Sequence, residues 1–182
     1  MSWLDSVFGA LPTMGGVLFT SAVVAAGVTF IQNLWLERRR IRELERTRLR
    51  QSFAEAFAVY SDYKEFPYAI RRRRLDQPAE ERARLSEELR AIQSKVSYYR
   101  VWTLFESPEV GAAYSELLGS MRSVAGKAMK AAWVEPPAQT DAQMNVSLDL
   151  VDLRSLKTNE DQFVTAVAKR LDQLAPIVAR RR

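Results

Sequence analysis

The chain contains no cysteine and no histidine. Without cysteine there is no disulfide framework and no thiolate nucleophile. Without histidine, the side chain most often used as a general base near neutral pH and as a metal ligand is missing. Glycine and proline number seven each among 182 residues. They build no P-loop, no G-x-S-x-G elbow and no Gly-rich phosphate turn. Serine–lysine chemistry has the residues but no spacing that recommends it. No internal repeat or low-complexity tract is present. Glu80, Glu81, Glu87 and Glu88 crowd one predicted helix, but carboxylate metal sites in helical bundles add Glu-x-x-His pairs, which need histidine. Arg82, Arg84 and Arg90 neutralise the same segment, so it reads as a solvated face. The chain reads as a non-enzymatic protein without a cofactor or metal.

A second absence is local. From Ser6 to Leu36 there is no Asp, Glu, Lys or Arg. Gly16 to Leu36 is the densest apolar part, 21 residues long. As a helix it measures about 30 Å, the thickness of a bilayer's hydrocarbon core. Thr20, Ser21 and Thr29 can bond their own backbone, Gln32 and Asn33 lie near the charged end, and Trp35 suits an interface. A secretory signal peptide is the first rival, but it requires positive charge before the apolar core, and "MSWLD" has no Lys or Arg. All 27 Lys and Arg residues follow the run. Positive charge is retained in the cytoplasm, so residues 1–14 are expected outside, 15–36 as a transmembrane helix and 37–182 inside.

Beyond Leu36 the chain is charged and periodic. Glu37 to Arg50 holds seven Arg against three Glu. No Pro or Gly lies between Leu36 and Phe66, so residues 37–66 are expected as one basic juxtamembrane helix running into a bundle of residues 67–182. Phe53, Phe57, Tyr60 and Tyr63 form a stripe at helical spacing. Pro67 is expected to interrupt, and "RRRR" at Arg71–Arg74 comes next. Asp76 before Pro78 suggests a helix start. Leu85, Leu89, Ile92, Val96 and Tyr99 then recur in steps of four and three, with Trp102 and Phe105 expected to extend the seam. "SPE" at Ser107–Glu109 reads as a stop and restart. Val110, Tyr114, Leu117, Met121, Val124 and Ala128 mark the next helix, which "EPP" at Glu135–Pro137 ends. In Met144–Lys157, Val146, Leu148 and Leu150 alternate like a strand and Leu148, Val151 and Leu156 fit a helix less tidily, but no other segment reads as a partner strand, so the lean is to helix or irregular packing. Thr158 or Asn159 is expected to cap a last helix carrying Phe163, Val167, Leu171 and Leu174. The fold expected is all-α: one transmembrane helix, then a cytoplasmic antiparallel bundle of about four helices with short connections.

Several clusters suggest function. Arg38, Arg39, Arg40 and Arg42 stand beside the inner leaflet, where anionic lipid attracts basic residues. Arg71, Arg72, Arg73 and Arg74 form a second cluster for lipid or a protein partner, and Arg180–Arg182 a third. Ala22, Ala26, Thr29 and Asn33 share a helix face that suits self-association of spans. Tyr98, Tyr99 and Trp102 read as core, with a stacking pocket as the alternative. Trp133 reads as a capping contact or as an anchor for a partner. "FPYAIRRRRL" matches no nucleic-acid-binding motif, so nucleic acid is disfavoured as a partner.

The topology up to about residue 66 resembles a membrane-tethered stalk such as the b subunit of ATP synthase: an outer N-terminus, one span, then a charged helix. Pro67, Pro78, Pro108 and Pro136–Pro137 depart from that family's single long helix, and no family is assigned. The expected role is an inner-membrane adaptor or scaffold whose bundle positions a protein partner. Two alternatives stand beside it. One is a self-associating membrane effector of the phage-exclusion or abortive-infection kind, suggested by the span face. The other, weaker, is a membrane-tethered nucleic-acid binder. The Arg-rich composition, 21 Arg against 6 Lys, is of the kind found in GC-rich bacterial or phage genomes.

Overall fold

A computed structural model describes residues 13–144 and 154–175, with side chains from residue 29 onward except at 141 and 144. Those residues are helical: α1 (Thr13–Arg71), α2 (Pro78–Glu106), α3 (Pro108–Val134), the single turn α4 (Asp141–Met144) and α5 (Arg154–Gln173). No strand occurs among them. The chain divides into two compact units, Met1–Glu45 and Arg46–Arg182. The undecided segment Met144–Lys157 is helical from Arg154 on, and residues 145–153 lie outside the described ones.

The second unit is a helical bundle. Its α1 portion carries Leu49, Phe53, Ala56, Tyr60, Tyr63 and Ile70 inward, a four-three alternation that keeps one face on the core. Partner pairs set the directions. Phe53 meets Trp102 edge-on at 5.4 Å and Arg48 reaches Glu106 at 2.7 Å, so α1 and α2 run antiparallel. Tyr114 donates its phenol to the Ala56 carbonyl at 2.8 Å, and Arg73 reaches the Ala132 carbonyl, so α3 runs with α1. Phe57 stacks on Phe163 while Tyr60 bonds Glu160, so α5 opposes α1. Helix α3 packs against both α2 and α5 and is far more buried than α2, with ten buried residues against four. The expected antiparallel bundle is present.

Local chemistry explains most helix ends. Pro78 occupies the first turn of α2, with Glu80 and Glu81 favourable to its dipole. Ser107 is the sole connection between α2 and α3. Its backbone is extended, its N–H closes α2 on the Thr103 carbonyl, and its Oγ accepts from the Val110 N–H at 3.4 Å. So short a link forces two backbones together: a Cβ on Gly111 would stand 2.5 Å from the Leu104 Cα. Helix α3 ends at Val134 because Pro136 drives Glu135 out of the helical region, to φ −75°, ψ 148°.

Three expectations are corrected. Pro67 does not interrupt: α1 continues to Arg71 with Pro67 inside it. An interior proline costs about 3 kcal/mol, but Phe66, Tyr68 and Ile70 are buried, and each contributes about 1.5–3 kcal/mol. The basic helix therefore extends beyond the expected boundary at residue 66. The start expected at Pro78 is found there, with Gln77 in the cap position without a side-chain cap and Asp76 paired with Arg74. Phe105 leaves the seam and is 84% exposed, and the buried register continues through Val96 to Thr103. Helix α5 begins at Arg154, so Thr158 and Asn159 lie inside it. Fully buried Leu156 draws that extra turn onto the core.

Candidate membrane and partner surfaces

In the first unit, Phe30, Ile31, Leu34, Trp35 and Leu36 are 44–66% exposed. At about 100° per residue the first four fan over roughly 140° of α1, with Leu36 on another side. No helix among the described residues is long and apolar enough to cross a membrane. Of the expected span, the side chains of residues 15–28 lie outside the described ones, and so do those of Ala22 and Ala26. Thr29 and Asn33 are exposed. So are Arg38, Arg39, Arg40 and Arg42, with Arg39 paired to Glu43 at 3.1 Å and lying 5.7 Å from the Trp35 ring. Arg180–Arg182 lie outside the described residues.

The cluster Arg71–Arg74 is largely taken up within the bundle. Arg71 donates to the Pro136 carbonyl at 3.0 Å and pairs with Glu135. Arg73 donates to the carbonyls of Ile70, Ala132 and Glu135 at 2.7–2.9 Å. Burial and the neighbouring Arg71 and Arg82 lower its pKa. Its guanidinium lies 5.2 Å from the Trp133 ring, and Arg82 lies 5.6 Å from the same ring. Half-buried Trp133 thus has two cations within cation–π reach of its ring. These contacts satisfy carbonyls that end α1 and α3, a recognised use of basic side chains at helix C-termini. Arg74 pairs with Asp76, and Arg72 is exposed.

Two polar groups join α1 to its neighbours. Tyr60, fully buried, donates to Glu160 at 2.7 Å, and Lys64 reaches the same oxygen at 3.2 Å. Burial pushes Glu160 up, but the bonds from Tyr60 and Lys64 outweigh it and hold it below the usual carboxylate range. Burial, then the Glu160 bond, raises Tyr60. On the surface, Tyr99 donates to Glu55 at 2.7 Å, which lowers Glu55 and pushes Tyr99 up to about 12. Those two border a shallow groove between α1 and α2 that also includes Asp62, Lys95 and Tyr98. Its side chains carry no nucleophile–base pair.

Of the four clustered carboxylates of α2, Glu81 and Glu88 are bridged. Arg84 takes Glu81 at 2.6 Å and Glu88 at 2.9 Å. No group of three or more potential ligands able to hold a metal occurs among the described residues. The outer face of α2 is a surface that the sequence reading missed. Tyr98, Val101, Leu104 and Phe105 are 54–84% exposed. The available signal is the seam's own alternation: from Tyr99 a step of four reaches Thr103, which leaves Val101, Leu104 and Phe105 outside. Comparison of the chain with protein-family models, with curated proteins and with solved structures finds no match, so its function has to be read from its own residues.

Proposed function

We propose that this chain is a single-pass inner-membrane protein whose helical bundle acts, without catalysis, as an adaptor that positions a protein partner at the membrane. One observation carries the reading. Five large apolar side chains between Phe30 and Leu36 stand exposed, at the end of an uncharged run and directly before seven arginines. Apolar surface of this extent is stable against lipid and costly in water. The basic side of such a junction faces the cytoplasm. Arg38, Arg39, Arg40 and Arg42 then lie at the anionic headgroups, each attracted by about 1 kcal/mol. The adaptor assignment is supported by a bundle with its own core.

The test is to extract the full chain from its host's membranes in mild detergent and determine the mass and composition of what purifies with it. The expected result is membrane retention that resists alkaline washing, with a second protein at fixed stoichiometry. Recovery of the unaltered chain in the soluble fraction would overturn the membrane assignment. A pure homo-oligomer would overturn the adaptor role and favour a self-acting membrane effector. In that case Asn33→Leu, on the exposed face with Thr29, should weaken the oligomer.

A further inference from the structure

The last two turns of α2 are divided by side. Trp102 packs on Phe53 and Thr103 is fully buried, while Val101 and Leu104 are each 54% exposed and Phe105 is 84% exposed. A solvent-facing phenylalanine beside two exposed aliphatics is costly unless something covers it. Its location in the bundle is informative. Arg48, two residues into the second unit, holds Glu106 at 2.7 Å, so this apolar face stands at the end where the chain enters the bundle. The opposite end carries the Arg73 clamp and Val134.

The same end is basic. Its segments contribute Arg46, Arg48, Arg50, Arg100, Lys169 and Arg170, six cations, against Glu55, Glu106, Glu109 and Asp172, four carboxylates. Two of those carboxylates are held by cations, Glu106 by Arg48 and Glu109 by Lys169 at 3.0 Å. An apolar centre with a basic surround is the combination that binds the interface of an anionic bilayer, where neither signal alone holds firmly. Two copies meeting face to face here would set positive ends against each other.

We propose that this end of the bundle, centred on Val101, Leu104 and Phe105, seats on an anionic lipid surface as a second membrane contact. The proposal rests on the chain being membrane-anchored through its uncharged run. If Leu36 ends the span, Arg46 follows ten residues later, which limits its distance from the bilayer to about 35 Å even in extended chain. The tether therefore keeps this face at high local concentration next to lipid.

The absence of cysteine permits a direct test on the full chain. Ile31→Cys, Val101→Cys, Phe105→Cys and Val134→Cys are labelled singly with a nitroxide and reconstituted into vesicles. One set is pure phosphatidylcholine and the other contains phosphatidylglycerol. Accessibility to lipid-soluble oxygen is compared with accessibility to a water-soluble nickel chelate. The expected result is a high oxygen-to-nickel ratio at 101 and 105 in the anionic vesicles. That ratio should fall to the aqueous value of 134 in pure phosphatidylcholine, and likewise in 1 M salt, where the screening length is about 3 Å. Lipid-like values at 31 with aqueous values at 101 and 105 would overturn the seating and leave the tether standing. Aqueous values at all four would overturn both. Shielding of 101 and 105 from both reagents would mean that protein covers the face, and would also overturn the proposal.

Discussion

Among the described residues, Glu160 is one of four carboxylates, with Glu55, Asp76 and Glu81, whose lowered values tie the bundle's stability to acid, and the one that joins α1 to α5. It takes a proton less readily in the folded chain than the ordinary value of 4.5, because Tyr60 and Lys64 bond its charged form. A carboxylate depressed on folding contributes stability that is complete above its unfolded value and lost as pH falls through the folded one. The urea midpoint of the full chain in mild detergent should therefore drop as pH is lowered below 4.5. Tyr60→Phe should lower stability at pH 7 by about 1.5 kcal/mol, the scale of a hydrogen bond to a charged group, and flatten that acid dependence. An unchanged acid slope would show that Glu160 does not contribute to it. Tyr60 is raised on folding, so its own contribution is present below pH 10 and lost only in strong alkali.

Among the elements, the α2–α3 corner is the least forgiving. A methyl on Gly111 meets the Leu104 backbone, which cannot move aside as a flexible side chain would. Gly111→Ala should cost about 1–3 kcal/mol through overpacking. Gly119, also in α3, has nothing within 4 Å of a Cβ position, and Gly119→Ala should stabilise by up to about 1 kcal/mol through helix propensity. Thermal unfolding of the two variants side by side checks this pair, and shifts of the same sign would refute it. The helices themselves were readable because their boundaries are local. Ser107-Pro108-Glu109 closes and reopens a helix within three residues, and the seam of α3 is regular enough to identify Val110, Tyr114, Leu117 and Met121, all fully buried. The path of α1 through Pro67 was not readable, because burial of the residues around the proline depends on helices far along the chain.

For the molecule as a whole, the two arginine clusters should separate by assay. Arg73→Ala removes a group that caps α1 and α3 together, and should destabilise the bundle by about 2–3 kcal/mol, the scale of hydrogen bonds from a charged donor, while leaving membrane association intact. Arg72→Ala should fall within about 0.5 kcal/mol of the parent, as exposed surface changes usually do. Replacing Arg38, Arg39 and Arg40 together with Gln should do the reverse, reducing the enrichment of anionic lipid around the reconstituted chain while leaving the denaturation midpoint in place. A stability loss from the Arg38–Arg40 variant, or none from Arg73→Ala, would undo this division. Sequence alone treats both clusters as runs of positive charge. The distinction lies in the carbonyls of Ala132 and Glu135, about sixty residues away.

What the sequence by itself determined is whatever depends on neighbours within a few turns: helical character, most helix ends, the aromatic and aliphatic seams, and the abrupt junction between an uncharged run and seven arginines. Tertiary structure alone decided the rest. It carried α1 past its proline, brought forward the start of α5, turned Phe105 outward, and set Arg73 to close two helix ends rather than face solvent. These outcomes depend on pairings across forty to one hundred residues. Burial and desolvation at such contacts are worth a few kcal/mol each, enough to override the smaller local preferences that a sequence displays.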